Sequence, residues 1–211
     1  MDKVRFGIIG YGKMGSQHTR AFLDGKIKNG VLTAIADIDE KRIEAAKSLL
    51  GDSVSYFNSA EELIHSGVVD AIIPTVPHYY HPVYAIEAFK AGLNVLCEKP
   101  AGVYTKQVEE MNRVAKESGK VFGVMFNQRT NPIYQKAKDL VDSGELGRIL
   151  HCNWIITSWF RAESYYSSSS WRATWKGEGG GVLLNQNPHN LDLWQWICGM
   201  PTRVKSQVYY G

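Results

Sequence analysis

Residues 177–196 read GEGGGVLLNQNPHNLDLWQW, and within them Asn185, His189, Asp192 and Trp196 recur at intervals of four, three and four. That spacing places them on one stripe if a helix begins early in the segment. Pro188 suits a first helical turn with Asn187 as its cap, which leaves Asn185 just outside. A neutral imidazole near a helix N-terminus is kept from protonating by the helix dipole, so His189 suits a proton acceptor. Leu191, Trp194 and Cys198 form a second face suited to packing. A possible partner lies 90 residues earlier, where Lys99 in CEKP (97–100) follows a buried strand at the mouth of a crevice. Its ordinary alternative is a surface lysine paired with Glu98.

A second constellation is GYGKMG, residues 10–15, directly after the apolar run VRFGII and directly before the helical stretch SQHTRAFLDG. Gly10 permits a tight turn, Gly12 lets backbone amides approach a pyrophosphate, and Gly15 lets helix and strand pack closely. Tyr11, Lys13 and Met14 line the same loop. Asp37 follows at the tip of the next strand, placed to accept hydrogen bonds from both hydroxyls of an adenosine ribose. These residues predict a dinucleotide site. A carboxylate there repels a 2′-phosphate, so NAD is expected over NADP, although Lys41 and Arg42 lie nearby.

The elements that position these groups are legible as apolar runs at 4–10, 31–37, 54–57, 70–76, 94–99 and 121–127, separated by amphipathic stretches. Ser59-Ala-Glu-Glu62 has capping-box spacing, and Gly92 and Gly119 stand where helices should stop. Strands apolar throughout and alternating with helices predict a doubly wound parallel sheet covered on both faces. Thr75, Pro77 and His81 follow the fourth strand, Glu98 and Lys99 the fifth, and Asn127 ends the sixth. Those carboxyl ends are where such sheets bind ligands. His81 is read as lining the cofactor crevice, and His78 as exposed.

After about residue 128 the texture changes. PIYQKAKDLVDSGELG predicts a helix, RILHCNWIITSWF and TRVKSQVYYG predict strands, and SYYSSSSW a polar loop. Two strands and one helix make a poor independent unit, because a small sheet needs three or more strands. Trp171 and Arg172 belong to a loop reaching cofactor or substrate, or equally serve packing. The expected division is 1–127 for dinucleotide binding and 128–211 for a second unit.

The chain has 211 residues, 24 basic against 21 acidic, and 44% hydrophobic residues. Such balance argues against nucleic acid, and no apolar stretch approaches the ~18 residues of a membrane span. Cys97, Cys152 and Cys198 have neither metal-ligand nor disulfide spacing, so no metal is expected and the cytoplasm is the expected compartment. The opening residues read as a strand rather than a leader.

Taken together, the glycine fingerprint, TVPHYYHPVYAIEAFKAGLNVLCEKP, FNQRTNPIYQKAKDLVDSGELG and GGGVLLNQNPHNLDLWQWICGMP resemble the Gfo/Idh/MocA oxidoreductases over essentially the whole chain. The resemblance implies NAD(P)-dependent hydride transfer at a hydroxyl carbon of a sugar or polyol. It implies a second α+β domain whose open antiparallel sheet lines the substrate site, and homo-oligomers in full-length members. Because family members are longer, it also implies a sheet left incomplete at the C-terminus, with an exposed apolar edge. Lys99 would hydrogen-bond the reacting oxygen, His189 would take its proton, and Asn185, Trp171 and Arg172 would help hold substrate. Many dehydrogenases of this family carry Asp where this chain has Asn185, and an amide cannot relay a proton. Transient oxidation for glycoside cleavage, or a sensor without turnover, are the alternative functions on the same fold. Retention of Lys99 and His189 counts against the sensor.

Overall fold

A computed structural model of the chain describes residues 3–157, 160–207 and 209. All six apolar runs become strands: β1 (Val4–Ile9), β2 (Gly30–Ala36), β3 (Ser55–Phe57), β4 (Ala71–Pro74), β5 (Asn94–Cys97) and β6 (Phe122–Val124). They form one parallel sheet in the order β3-β2-β1-β4-β5-β6. Between them run α1 (Lys13–Leu23), α2 (Glu40–Leu50), α3 (Ala60–Ile64), α4 (His81–Lys90) and α5 (Thr105–Ser118).

Continuous apolar strands give this result because both sheet faces are buried. Ile72 and Ile73 are adjacent and both buried, yet they enter different cores. Ile72 packs with Leu63, Ala85, Phe89 and Met111 on one face, and Ile73 with Ile8, Ile35, Ile43 and Ala46 on the other. The caps follow the sequence. Ser59 accepts from the Glu62 amide at the start of α3, and Gly119 ends α5 in the left-handed region. Strand order reverses between β1 and β4, which opens the ligand crevice of this architecture at their carboxyl ends.

Beyond β6 come α6 (Pro132–Asp142), the short helices α7 (Glu163–Tyr166), α8 (Trp175–Glu178) and α9 (Val182–Asn185), and then α10 (Pro188–Cys198). The expected strands within 148–160 and 202–211 do not form among the described residues; Ser158, Trp159, Val208, Tyr210 and Gly211 lie outside them. An extended segment becomes a strand only when a neighbour accepts its backbone hydrogen bonds, and none pairs here. Trp154 instead donates its indole N–H to Asn190 at 3.3 Å and stacks on Tyr134. The antiparallel sheet, and the apolar sheet edge expected with it, are therefore not observed among the described residues. Leu193 is the one fully buried apolar side chain after Ala115 among the described residues, so α10 is ordered by packing on α6 and its neighbours rather than by a core of its own. No described helix is long and apolar enough to cross a membrane.

Candidate active site

The loop between β1 and α1 is built for close approach. A Cβ on Gly15 would lie 2.2 Å from the Gly10 carbonyl oxygen, so only glycine lets α1 start this near the strand. A Cβ on Gly12 would meet nothing nearer than the Arg42 guanidinium at 3.9 Å, so the loop faces open space there. Gly12 caps α1 with no side chain, and exposed Lys13 and Met14 begin it. With no side-chain cap, the first amides of α1 face that space, where an anion would meet them. Asp37 is buried, accepts from the backbone amides of Tyr11 at 2.6 Å and Asp39 at 2.9 Å, and lies 3.4 Å from the Arg42 guanidinium. These features fit a dinucleotide whose pyrophosphate meets the glycine loop and whose ribose meets Asp37.

Loops after β4 and β5 close the crevice. The Thr75 hydroxyl donates to the Gly10 carbonyl, and Pro77 leads into a turn at His78–Tyr80. His78, expected at the surface, is buried: Nδ1 faces the Glu178 carbonyl oxygen at 2.9 Å, and Trp171 packs edge-on at 5.3 Å. Burial lowers its pKa to about 4. His81 begins α4. It is 1% exposed, with Nδ1 2.7 Å from the Pro100 oxygen and Nε2 2.8 Å from the Val76 oxygen. Its ring stands between the loops that follow β4 and β5.

Glu98 is buried, and its carboxylate meets His18 Nε2 on α1 at 2.7 Å and accepts the Lys99 amide at 3.1 Å. Burial acts to raise its pKa, but the His18 bond and the Lys99 charge outweigh this and hold it lowered. Lys99 is thus not a surface lysine paired with Glu98. Its ammonium donates to the Asn185 backbone carbonyl at 2.8 Å. Burial is the largest effect lowering the Lys99 pKa, with Glu98 opposing it and Arg172 reinforcing it. The Asn185 amide nitrogen donates at 2.5 Å to the carboxylate of Glu178, and both side chains are buried.

Asn185 lies in α9 rather than on the α10 stripe, and Pro188 opens α10 with Asn187 before it making no side-chain cap. His189 therefore stands in the first turn. Its Nδ1 is buried with no hydrogen-bond partner, and its ring meets Phe126 edge-on. Burial lowers the His189 pKa, and Lys99 lowers it further against the pull of Glu98 and Asp192. At neutral pH this imidazole is uncharged. Asp192 forms a two-bond ion pair with Arg129, whose guanidinium also covers the rings of Phe126 and Trp196. The packing face differs from expectation, since Leu193 is buried and Leu191 is half exposed.

Arg172 donates to the Tyr165 hydroxyl at 2.6 Å and lies over the rings of Tyr165 and Trp171. Its Nε is buried without a partner. Asn127 is exposed at the start of a turn after β6. Sequence reasoning missed Glu178, His18 and Tyr165. Glu178 stood in plain view beside the glycine run, but nothing local says that its side chain folds back onto Asn185. A cavity of ≈ 580 Å³ lies beside α10, lined by Trp154, Leu191, Trp194 and Val204, away from Lys99.

His78 carries a prediction about stability. Between pH 6.5 and about 4 the unfolded chain binds a proton at this residue that the folded chain refuses. Stability should therefore fall as pH drops through that window, by about 3 kcal/mol in all. Denaturant melts at pH 7 and pH 4.5 should show a smaller loss in His78→Gln than in the native sequence.

Comparison with known proteins agrees with this geometry. Residues 4–126 match the Gfo/Idh/MocA family described as an oxidoreductase family with an NAD-binding Rossmann fold, and residues 134–210 match its C-terminal domain. The rhizopine catabolism protein MocA of Rhizobium meliloti is 27% identical over 97% of this chain and 61% of its own length. The myo-inositol 2-dehydrogenase of Thermotoga maritima is 29% identical over 93% of this chain and 55% of its own. The crystal structure of the WlbA dehydrogenase from Bordetella pertussis, in complex with NADH and UDP-GlcNAcA, superposes with a TM-score of 0.83 at 29% identity. It covers 94% of this chain and 58% of its own. The chain thus spans little more than half the length of these relatives. With a matching strand order, a glycine loop of the required shape and both domain models aligned in sequence order, the chain belongs to the Gfo/Idh/MocA family of oxidoreductases.

Proposed function

We propose that this chain is the catalytic part of an NAD-dependent dehydrogenase that oxidises a secondary hydroxyl of a sugar, polyol or related compound. On this reading residues 1–127 bind the dinucleotide and residues 128–211 supply the substrate side. One observation carries it: the Lys99 ammonium, at the carboxyl end of β5, grips the main chain of the segment that delivers His189. On this reading the ammonium and an imidazole whose Nδ1 has no hydrogen-bond partner work in one crevice beside the glycine loop.

NAD, when bound, supplies a nicotinamide carbon able to accept hydride. The remaining work falls to this chain. His189 takes the hydroxyl proton through Nε2, since Nδ1 is buried, as the carbon gives up its hydride. Lys99 donates a hydrogen bond to the same oxygen and stabilises the charge that develops on it. Asn185 positions a neighbouring hydroxyl, and Trp171 and Arg172 border the cleft. NADH formation across a panel of polyols, sugars and their acids tests the reading. Turnover of at least one supports it, and none across the panel counts against it.

Asp37 decides the choice of dinucleotide. Its carboxylate repels a 2′-phosphate, whereas the half-exposed Arg42 3.4 Å away would welcome one. Fluorescence titrations should show NAD bound more tightly than NADP. Asp37→Ala should weaken NAD and strengthen NADP, because Arg42 is then released. Unchanged affinities would remove Asp37 from this role.

A further inference from the structure

We propose that Glu178 is the positioning residue of this site: its buried carboxylate holds the Asn185 amide inward and supplies the negative charge that Asn185 itself lacks. The proposal rests on the reading that Lys99 meets the reacting oxygen.

The argument begins with the turn. Gly179 ends α8 at φ +78°, and a Cβ there would press within 2.4 Å of Val103. This glycine lets the chain double back, so that Asn185 returns over Glu178 after only seven residues. His78 holds the Glu178 main chain, its Nδ1 2.9 Å from the Glu178 carbonyl oxygen. A carboxylate can only accept, so the nitrogen of Asn185 must point at Glu178, and Oδ1 is the end left to accept a substrate hydroxyl. Without Glu178 that amide could turn over and present a donor instead.

The charge matters as well as the bond. A carboxylate with 6% exposure is costly unless a cation or strong donor compensates it. Lys99 is a compensating cation: its charge and that of Glu178 attract each other, and both groups hold Asn185. A carboxylate one side chain removed thus takes over the electrostatic part of an aspartate at 185, and the amide keeps the contact with substrate. Removing the Glu178 charge should make the Lys99 ammonium easier to deprotonate.

The test uses Glu178→Gln, Asn185→Asp and the double variant. It reads the pH dependence of Lys99 acetylation by mass spectrometry together with melting temperature. Glu178→Gln keeps the shape and should move the Lys99 midpoint down by about one pH unit. Asn185→Asp alone sets two carboxylates in contact and should lower the melting temperature and titrate as a coupled pair. The double variant exchanges donor and acceptor, so it should regain melting temperature and return the Lys99 midpoint towards the native value. The proposal is overturned if Glu178→Gln leaves the Lys99 midpoint in place, or if the double variant is no better than the two single changes combined. Acetylation is read without turnover, so an inactive chain with a shifted midpoint would count against the dehydrogenase reading and not against Glu178.

Discussion

His189→Ala should lower kcat by about 10²–10⁴-fold while leaving NAD affinity nearly unchanged. The residue stands in the first turn of α10, its ring uncharged at neutral pH because burial, Lys99 and the helix dipole all oppose protonation. An imidazole held below its ordinary pKa remains a competent base through the usual histidine range. The acid limb of the native kcat/KM profile should therefore have its midpoint below the ordinary histidine value. That acid limb should vanish in His189→Ala. A variant that keeps both its rate and its limb would make His189 a packing residue.

Lys99→Ala should cost about 10²–10³-fold, mostly in kcat, since a donor aimed at developing charge acts more on the transition state than on bound substrate. Lys99→Arg should not restore the rate, because a planar guanidinium cannot take the place of a compact ammonium between Asn185 and the substrate. If the two residues serve one oxygen, the double variant should lose less than the product of the single losses. Steady-state kinetics on the best substrate of the panel measures the native chain and all four variants. A loss confined to KM would indicate that Lys99 only binds.

Much of this was legible in the chain. Ile8, Ile35, Ile72 and Ile73 announce a sheet buried on both faces, and Gly10, Gly15 and Asp37 announce its ligand. Both signals are local, one a periodicity and the other a spacing. The signals that failed concern long-range partners. RILHCNWIITSWF has strong strand chemistry, but strand formation depends on a neighbour that composition cannot supply. His78 reads as a loop histidine until Glu178, 100 residues later, covers it. The three glycines at 179–181 do not share one role. Gly179 meets a local steric need by turning α8 back over Val103, whereas a Cβ on Gly181 would meet nothing within 4 Å. Asn185 looked like a weakened aspartate because its carboxylate partner belongs to a different helix.

The central claim is that His189 and Lys99 act on a hydroxyl carbon that gives up hydride. The most direct test is turnover of a substrate of the panel deuterated at the oxidised carbon, with mass analysis of the reduced cofactor and comparison of rates. The account predicts deuterium in the accumulating NADH, a slower rate with the labelled substrate, and labelled NADH formed about 10²–10⁴-fold more slowly by His189→Ala. NADH free of deuterium, or label transferred as well by His189→Ala as by the native chain, would contradict it.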